Sequence, residues 1–421
     1  MTEKKKAILV GASIKQQADD LDFSMKELEG LAAACHLQVV GTLTQQLQQI
    51  HKSHYIGKGK LEELQELVEM KEADVVIFDD ELSPSQIRVL EEKLEKTVID
   101  RTMLILDIFA ERAQTREAKL QVEVAKLKYM LPRLIGQRDD LGRQGGGAGL
   151  KNRGAGETKL ELDRRKIEVK ISVLSKELEQ LVEQREIQRK KRQKHGLPVV
   201  SLVGYTNAGK STIMNAMVEK FNPAANKEVF EKDMLFATLE TSVRKIHLPE
   251  NTRFLLTDTV GFIHKLPHHL VKAFRSTLEE VKEADVIIHV VDYSDPNYEK
   301  YMEVTDATLK EIGVENIPVI YAYNKSDLTE AEFPKLEGDT VYLSAKKRIG
   351  IKELTKAIQQ YIYKDYRQFE VLIPYEEGQL IAYFNENAQV LATAYEEQGT
   401  RLTVRGTKQD YEKYEAYVVH A

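Results

Sequence analysis

Nine consecutive residues limit this chain more than any other feature. Gly204, Tyr205, Thr206, Asn207, Ala208, Gly209, Lys210, Ser211 and Thr212 spell G-x-x-x-x-G-K-[ST], directly after the apolar run 199–203. With a strand before it and a helix after it, this pattern is a P-loop. Its backbone N–H groups wrap phosphates, Lys210 reaches the β/γ-phosphates, and the Ser211 hydroxyl is placed for Mg2+. Such loops sit in open α/β sheets, where ligands bind beyond the carboxyl ends of parallel strands. The surrounding chain is therefore expected to form a mostly parallel sheet with further motifs at its strand ends.

Those motifs follow in order. The strand run 253–257 ends at Asp258-Thr259-Val260-Gly261. There Asp258 can support the Mg2+ shell, and Gly261 can offer its N–H to the γ-phosphate. The run 319–323 ends at Asn324-Lys325-Ser326-Asp327. The Asp327 carboxylate would accept from guanine N1–H and from the 2-amino group, two donors that adenine lacks, so this motif selects GTP. The run 341–343 ends at Ser344, Ala345 and Lys346, where a backbone N–H can meet guanine O6. Thr238, within 235–241, is the expected switch threonine, meeting Mg2+ and γ-phosphate only in the GTP state. Lys210, Thr238 and Gly261 form the expected catalytic set. Phe262 stands where Ras-type enzymes keep a water-orienting glutamine, so hydrolysis should be slow until a partner completes the site. Asn207 stands where some P-loop GTPases place a potassium-coordinating asparagine; a plain turn role is the equal alternative.

At 421 residues the chain has room for about three domains. Hydrophobic residues make up 42%, enough for packed cores, yet no apolar run reaches the ~18 residues of a membrane helix. The charged start leads into only Ala7–Val10, too short for a signal-peptide core and better suited to a first strand. Cys35 is the single cysteine, which excludes an internal disulfide and a cysteine-built zinc site; buried filler is its expected role. These features describe a soluble cytoplasmic protein with no stable membrane insertion.

Four domains are expected. Residues 1–100 alternate short β-rich runs (7–10, 37–43, 74–78, 97–99) with helical patterns (20–34, 60–71, 84–94), an N-terminal α/β domain. Before the second helix, Ser53–Lys60 reads as a turn, with a phosphate site at the helix N-terminus as the alternative. Residues 101–196 form a basic helical hairpin. Its seams are Leu120, Val124, Leu127, Leu131, Leu134 and Ile167, Ile171, Leu174, Leu178, Leu181, both stepping 4-3-4-3. Pro132 should kink or end the first helix. A tip loop (136–159) joins them, with seven glycines within residues 142–156. Residues 101–195 hold 23 Lys/Arg against 14 Asp/Glu, while the whole chain is at −6. Such a basic segment suits phosphate, and glycine lets backbone approach a crowded partner. The candidate RNA contacts are Arg138, Arg143, Gly145, Gly146, Gly147, Lys151, Arg153 and Lys159; a flexible linker is the alternative. Residues 197–365 form the GTP-binding (G) domain. Residues 366–421 read as a small α+β domain with a hairpin turn at Gly399-Thr400 and no catalytic constellation.

The whole arrangement resembles the HflX family of ribosome-associated GTPases. The resemblance is carried by the G-domain motifs and, more specifically, by Tyr55–Lys60, Asp100-Arg101-Thr102, Leu106–Phe109 and the stretch 142–165. It implies a factor that binds the large ribosomal subunit and its RNA, with the hairpin reaching toward the peptidyl transferase centre; a monomer is expected. It further implies splitting of stalled or idle ribosomes under stress. In some members it extends to ATP at the N-terminal domain. Two other functions remain open on the residues alone: an RNA-binding GTPase of RNA modification or ribosome assembly, and a GTPase scaffold with a coiled-coil dimerisation arm.

Overall fold

A computed structural model describes residues 4–14, 18–136, 153–193, 197–222, 235–236, 241–249, 253–265, 280–364 and 366–419. The chain divides into two compact units. One holds residues 1–189 together with 232–240 and 263–276; the other holds 190–231, 241–262 and 277–421.

The first unit begins with β1 (Lys6–Ile14), α1 (Ala18–Ala34), β2 (Gln38–Leu47), α2 (Lys58–Lys71), β3 (Val75–Phe78), α3 (Pro84–Leu94), β4 (Thr97–Asp100) and α4 (Arg101–Arg112). Its sheet is parallel throughout, in the order β2-β1-β3-β4. Ile8, Val10, Val76, Phe78 and Val98 pack there against Leu61, Leu64 and Val68 of α2 and Leu90 and Leu94 of α3. Helix α3 begins where the sequence says it should. Ser83 caps it, Gln86 returns the bond, and Pro84 occupies the first turn, where a missing N–H costs nothing. Cys35 is half-buried, and its thiol is pushed up to about 12 by burial and by Asp107 and Glu111, which leaves it a poor nucleophile.

Two longer helices follow, α5 (Arg116–Gly136) and α6 (Arg153–Gln193). They run antiparallel: Arg116 pairs with Glu177 at 2.6 Å and Glu123 with Lys170 at 2.7 Å, seven residues forward on one helix and seven back on the other. The second seam is as expected, since Ile167, Ile171, Leu174, Leu178 and Leu181 are the half-buried line of α6. The first helix is more deeply embedded than a hairpin arm. Val122, Ala125 and Tyr129 are buried as well as Leu120 and Val124, and α5 packs against α3 and α4. Pro132 lies inside α5 and the helix runs on to Gly136. The tip loop is shorter than expected, because Gly154 and Gly156 fall within α6, which begins at Arg153. Arg138, Arg143, Gly145, Gly146, Gly147 and Lys151 lie outside the described residues, as do the side chains of Arg153 and Lys159.

The second unit is built on a seven-stranded sheet in the order β10-β11-β9-β8-β5-β7-β6. Its elements are β5 (Val199–Gly204), α7 (Lys210–Phe221), β6 (Ser242–His247), β7 (Arg253–Asp258), β8 (Val286–Asp292), α8 (Tyr298–Glu311), β9 (Val319–Asn324), β10 (Lys335–Glu337), β11 (Thr340–Tyr342) and α9 (Ile351–Ile362). Five strands are parallel, while the edge strands β6 and β10 run antiparallel to their neighbours. Near-continuous apolar runs in β5 and β8 fit strands covered on both faces. Val200, Leu202, Ile288, Ile320 and Val341 pack against Met214 and Met217 of α7 and Leu354 and Ile358 of α9. A three-stranded antiparallel sheet, β12 (Arg367–Ile373), β14 (Gly399–Gly406) and β13 (Gln389–Glu396), follows, with α10 (Gly378–Asn387) and α11 (Lys408–Lys413). Gly399 and Thr400 already pair with Glu396 and Tyr395, so the hairpin turn is at Glu397-Gln398, just before the expected place.

Candidate nucleotide site

The carboxyl ends of β5, β7, β8, β9 and β11 gather the expected motifs, because parallel strands point the same way and their terminal loops converge. The P-loop runs from the tip of β5 to the first turn of α7. Gly209 caps α7 at φ 97°, and a Cβ there would lie 2.2 Å from Asn324 Nδ2, so only glycine fits. Asn207 is exposed and takes φ 61°, a left-handed conformation that asparagine tolerates.

Lys210 is buried at the start of α7, with Nζ donating to Gly204 O at 3.1 Å and Tyr205 O at 2.8 Å. Burial pushes its ammonium down to about 8, partly offset by the Asp258 carboxylate. Ser211 Oγ donates to Asp258 Oδ2 at 2.6 Å, and Asp258 is completely buried at the tip of β7. A hydroxyl and a carboxylate brought together are hard oxygen donors of the kind Mg2+ takes beside substrate phosphates. Among the described residues no group of three or more His, Cys, Asp or Glu could hold a metal. Ser211 and Asp258 therefore fit a metal whose remaining ligands come from nucleotide and water.

Gly261 lies against the P-loop. A Cβ on it would stand 2.6 Å from Thr206 Cα and 3.0 Å from Lys210 Nζ. Next to it, Phe262 is bolted down: Thr206 N donates to Phe262 O at 2.8 Å and Phe262 N to Gly204 O at 3.1 Å. Its ring is buried, so it offers nothing to a water. Thr238 falls outside the described residues. The neighbouring Phe236 is buried edge-on to Phe109, at 4.7 Å between centroids.

Asn324 holds the expected base-binding corner together. Its Nδ2 donates to Ala208 O and its Oδ1 accepts from Ala345 N, both at 2.9 Å, which ties the P-loop to the 344–346 loop. Lys325 takes φ 62° and pairs with Asp292 at 2.6 Å. Burial alone would raise the Asp327 carboxyl, but hydrogen bonds from Ser344 and Lys347 and the Lys347 charge hold it below the usual range. It is therefore an ionised acceptor at neutral pH, as guanine recognition needs. Ser344 and Ala345 are buried and Lys346 is exposed.

Two features escape the sequence reading. Asp292, at the tip of β8, positions Lys325. Residues 263–265, just after the Asp258–Gly261 motif, belong to the first unit. There Arg101, 2% exposed, donates to Asp79 at 2.7 Å, pairs with Glu27 and donates to His264 O at 3.2 Å. Lys265 pairs with Asp79 and Asp80, each at 2.6 Å. Although burial lowers it, the two carboxylates raise the Lys265 ammonium overall, so the cluster stays charged. The sequence singles out Arg101, within Asp100-Arg101-Thr102, but not its partners Glu27, Asp79 and Lys265.

Three family models match: residues 22–110 a GTP-binding GTPase N-terminal region, 112–192 a GTP-binding GTPase middle region, and 199–325 a 50S ribosome-binding GTPase. The chain is 44% identical to the GTPase HflX of Caldanaerobacter subterraneus subsp. tengcongensis over 417 residues, covering 99% of this chain and 94% of that protein. It is 39% identical to the GTPase HflX of Escherichia coli over 402 residues, covering 94% and 92%. A GTP-binding protein of Sulfolobus solfataricus, solved with GDP, is similar over 86% of this chain and 99% of that one, at 23% identity and a TM-score of 0.44. Similarity of this strength along nearly the full length, on a P-loop site with its guanine motifs in place, shows that the chain is a GTP hydrolase and belongs to the HflX family of GTPases.

Proposed function

We propose that the protein is a GTP-switched factor of the cytoplasm that binds the large ribosomal subunit as a monomer and dissociates stalled or idle ribosomes. The observation that carries this reading is α6. At about 1.5 Å per residue its 41 residues extend roughly 60 Å. Leu162, Val169, Val173 and Ile187 are exposed along it. A helix that buries so little is not built for its own core and suits a partner. The basic tip candidates, Arg138, Arg143, Gly145, Gly146, Gly147, Lys151, Arg153 and Lys159, are proposed to meet ribosomal RNA. The match of 199–325 to a model described as a 50S ribosome-binding GTPase supports the same partner.

In this mechanism the β/γ-phosphates lie along the P-loop backbone, with Lys210 turning from its carbonyl partners toward them. Ser211 and Asp258 would hold Mg2+, with Thr238 joining in the GTP state, and a metal there would supply charge neutralisation at the transferring phosphoryl group. Gly261 N–H meets the γ-phosphate. Potassium at Asn207 would complete the cradle that Phe262 leaves without a water-orienting side chain.

The test is sedimentation of the protein with purified large subunits, with a non-hydrolysable GTP analogue or GDP, alongside turnover measurements. Pelleting with the analogue but not GDP, and a rise in turnover of about tenfold or more, are expected. Equal turnover with and without subunits, and no pelleting in either state, would remove the ribosome from the account.

A further inference from the structure

Strands β9 and β11 are parallel neighbours, and such a crossover is ordinarily made by a helix. Here it consists of a 3-10 turn, Ser326–Leu328, and the edge strand β10. One face of β9 and β11 is covered by α9, in the core that buries Ile320, Ala322 and Val341. Strand alternation sends Tyr321, Tyr323 and Tyr342 to the opposite face. Helix α8 packs on β5 and β8 and reaches β9 at Tyr323, through Tyr298 and Met302. Among the described residues no crossover helix lies between β9 and β11.

Aromatic rings occupy the place instead. Tyr293 stacks on Tyr323 at 4.9 Å, and Tyr342 stands edge-on to both at 5.5 and 5.2 Å. Tyr298 closes the group at 5.2 Å from Tyr293 and 5.9 Å from Tyr323. All four are half-buried, and Leu328 on the adjoining turn is 69% exposed. If the rings were only a plug, aliphatic side chains would seal the sheet and leave no polar tips. Tyrosine presents an apolar body and a polar end, the combination enriched at interfaces.

The segment that carries these rings is one-sided in charge. Residues 292–342 contain twelve Asp and Glu against four Lys and no Arg, a net −8, more negative than the whole chain at −6. Of the four lysines, Lys325 is tied to Asp292 and Lys335 to Glu337. Glu299 lies 3.4 Å from the Tyr298 hydroxyl, while Glu303, Asp306, Glu332 and Glu337 are exposed. Such a face repels phosphate and attracts cations, which tyrosine rings also bind.

We infer that this acidic tyrosine face of the G domain is a docking seat for a Lys/Arg-rich polypeptide segment, whose cations stack on the rings and pair with the rim carboxylates. The assignment is independent of the ribosome reading. The basic hairpin and the acidic sheet face are suited to partners of opposite charge, so one protein can engage RNA through one surface and a basic polypeptide through another.

The probe is a fluorescein-labelled peptide of alternating arginine and glycine, titrated into the full-length protein and read by anisotropy at two salt concentrations. Saturable binding that weakens with salt is expected. Tyr298→Ala and the double variant Glu299→Lys/Glu337→Lys should each weaken it about tenfold, while guanine-nucleotide affinity stays unchanged and certifies the fold. Unlabelled oligouridylate should not displace the peptide. Wild-type peptide affinity in both variants would overturn the inference. Oligouridylate binding that is lost in Tyr298→Ala would also overturn it, by making the face a nucleic-acid platform.

Discussion

Replacing Asp327 by Asn tests the guanine-selecting corner most sharply. Asp327 is held ionised by Ser344 and Lys347, so it offers two acceptor oxygens and no donor. Guanine N1–H and the 2-amino group each gain a hydrogen bond to a charged acceptor, worth about 1.5–3 kcal/mol. In Asp327→Asn, the amide NH2 faces one of those donors. One bond is lost and the other becomes neutral, so GTP affinity should fall by about 2–4 kcal/mol, roughly 30- to 1,000-fold. The lost pair with Lys347 adds little, because that lysine is 55% exposed and screened. Xanthine carries an oxygen where guanine carries the amine, so the same amide donates correctly to xanthosine triphosphate. Titration with a fluorescent guanine nucleotide, followed by competition with both triphosphates, measures the two effects together. Unchanged GTP affinity, or an equal loss for both bases, would show that Asp327 does not read the base edge.

Three further outcomes follow from the site. Lys210 sits at about 8 in the free protein and is drawn up by bound phosphates, so it is charged in both states near pH 6.5 and mostly neutral only when free at pH 8.5. Binding should then draw more proton uptake at pH 8.5 than at pH 6.5, which calorimetry in buffers of different ionisation enthalpy reads; no uptake at pH 8.5 would contradict the burial argument. Turnover should be faster in KCl than in NaCl, and Asn207→Gly, which removes the amide without straining φ 61°, should abolish the difference; equal rates in both salts for the parent would dismiss potassium alone. Gly261→Ala places a methyl 2.6 Å from Thr206 Cα, so the P-loop backbone must shift; turnover should fall about 100-fold or more and GDP affinity should weaken with it, whereas a parental rate and affinity would mean that Gly261 does not lie against the bound phosphates.

The site was legible in the sequence because each G-domain motif is a local backbone device at the end of an apolar strand. Gly204–Thr212 needs only its own strand and helix to form. Asn324 could be assigned to the base corner, but not its bridge from Ala208 to Ala345, which spans 116 residues in one direction and 21 in the other. The Arg101 cluster was illegible for the same reason. Asp79 and Lys265 are 186 residues apart, and an arginine in a helical pattern reads as a surface charge until the fold buries it. In the hairpin, periodicity located the half-buried line of α6, but composition misplaced the start of that helix and gave no sign that α5 packs on α3 and α4. Gly154 and Gly156 weaken a helix by about 1 kcal/mol each without forbidding it. The open side of β9 and β11 had no signal, because it arises from a helix that the crossover omits.

The central claim is that the glycine-rich connection between α5 and α6 acts on a ribosome. Its motifs for GTP lie wholly after residue 200, so replacing 142–152 with a short turn should preserve folding and guanine-nucleotide affinity. Intact ribosomes mixed with GTP and either protein, resolved on a sucrose gradient, give the decisive measurement. The parent should convert the 70S peak into subunits, and the loop-replaced protein should leave it intact while still pelleting with large subunits. Equal splitting by both proteins would make the connection a linker and contradict the account.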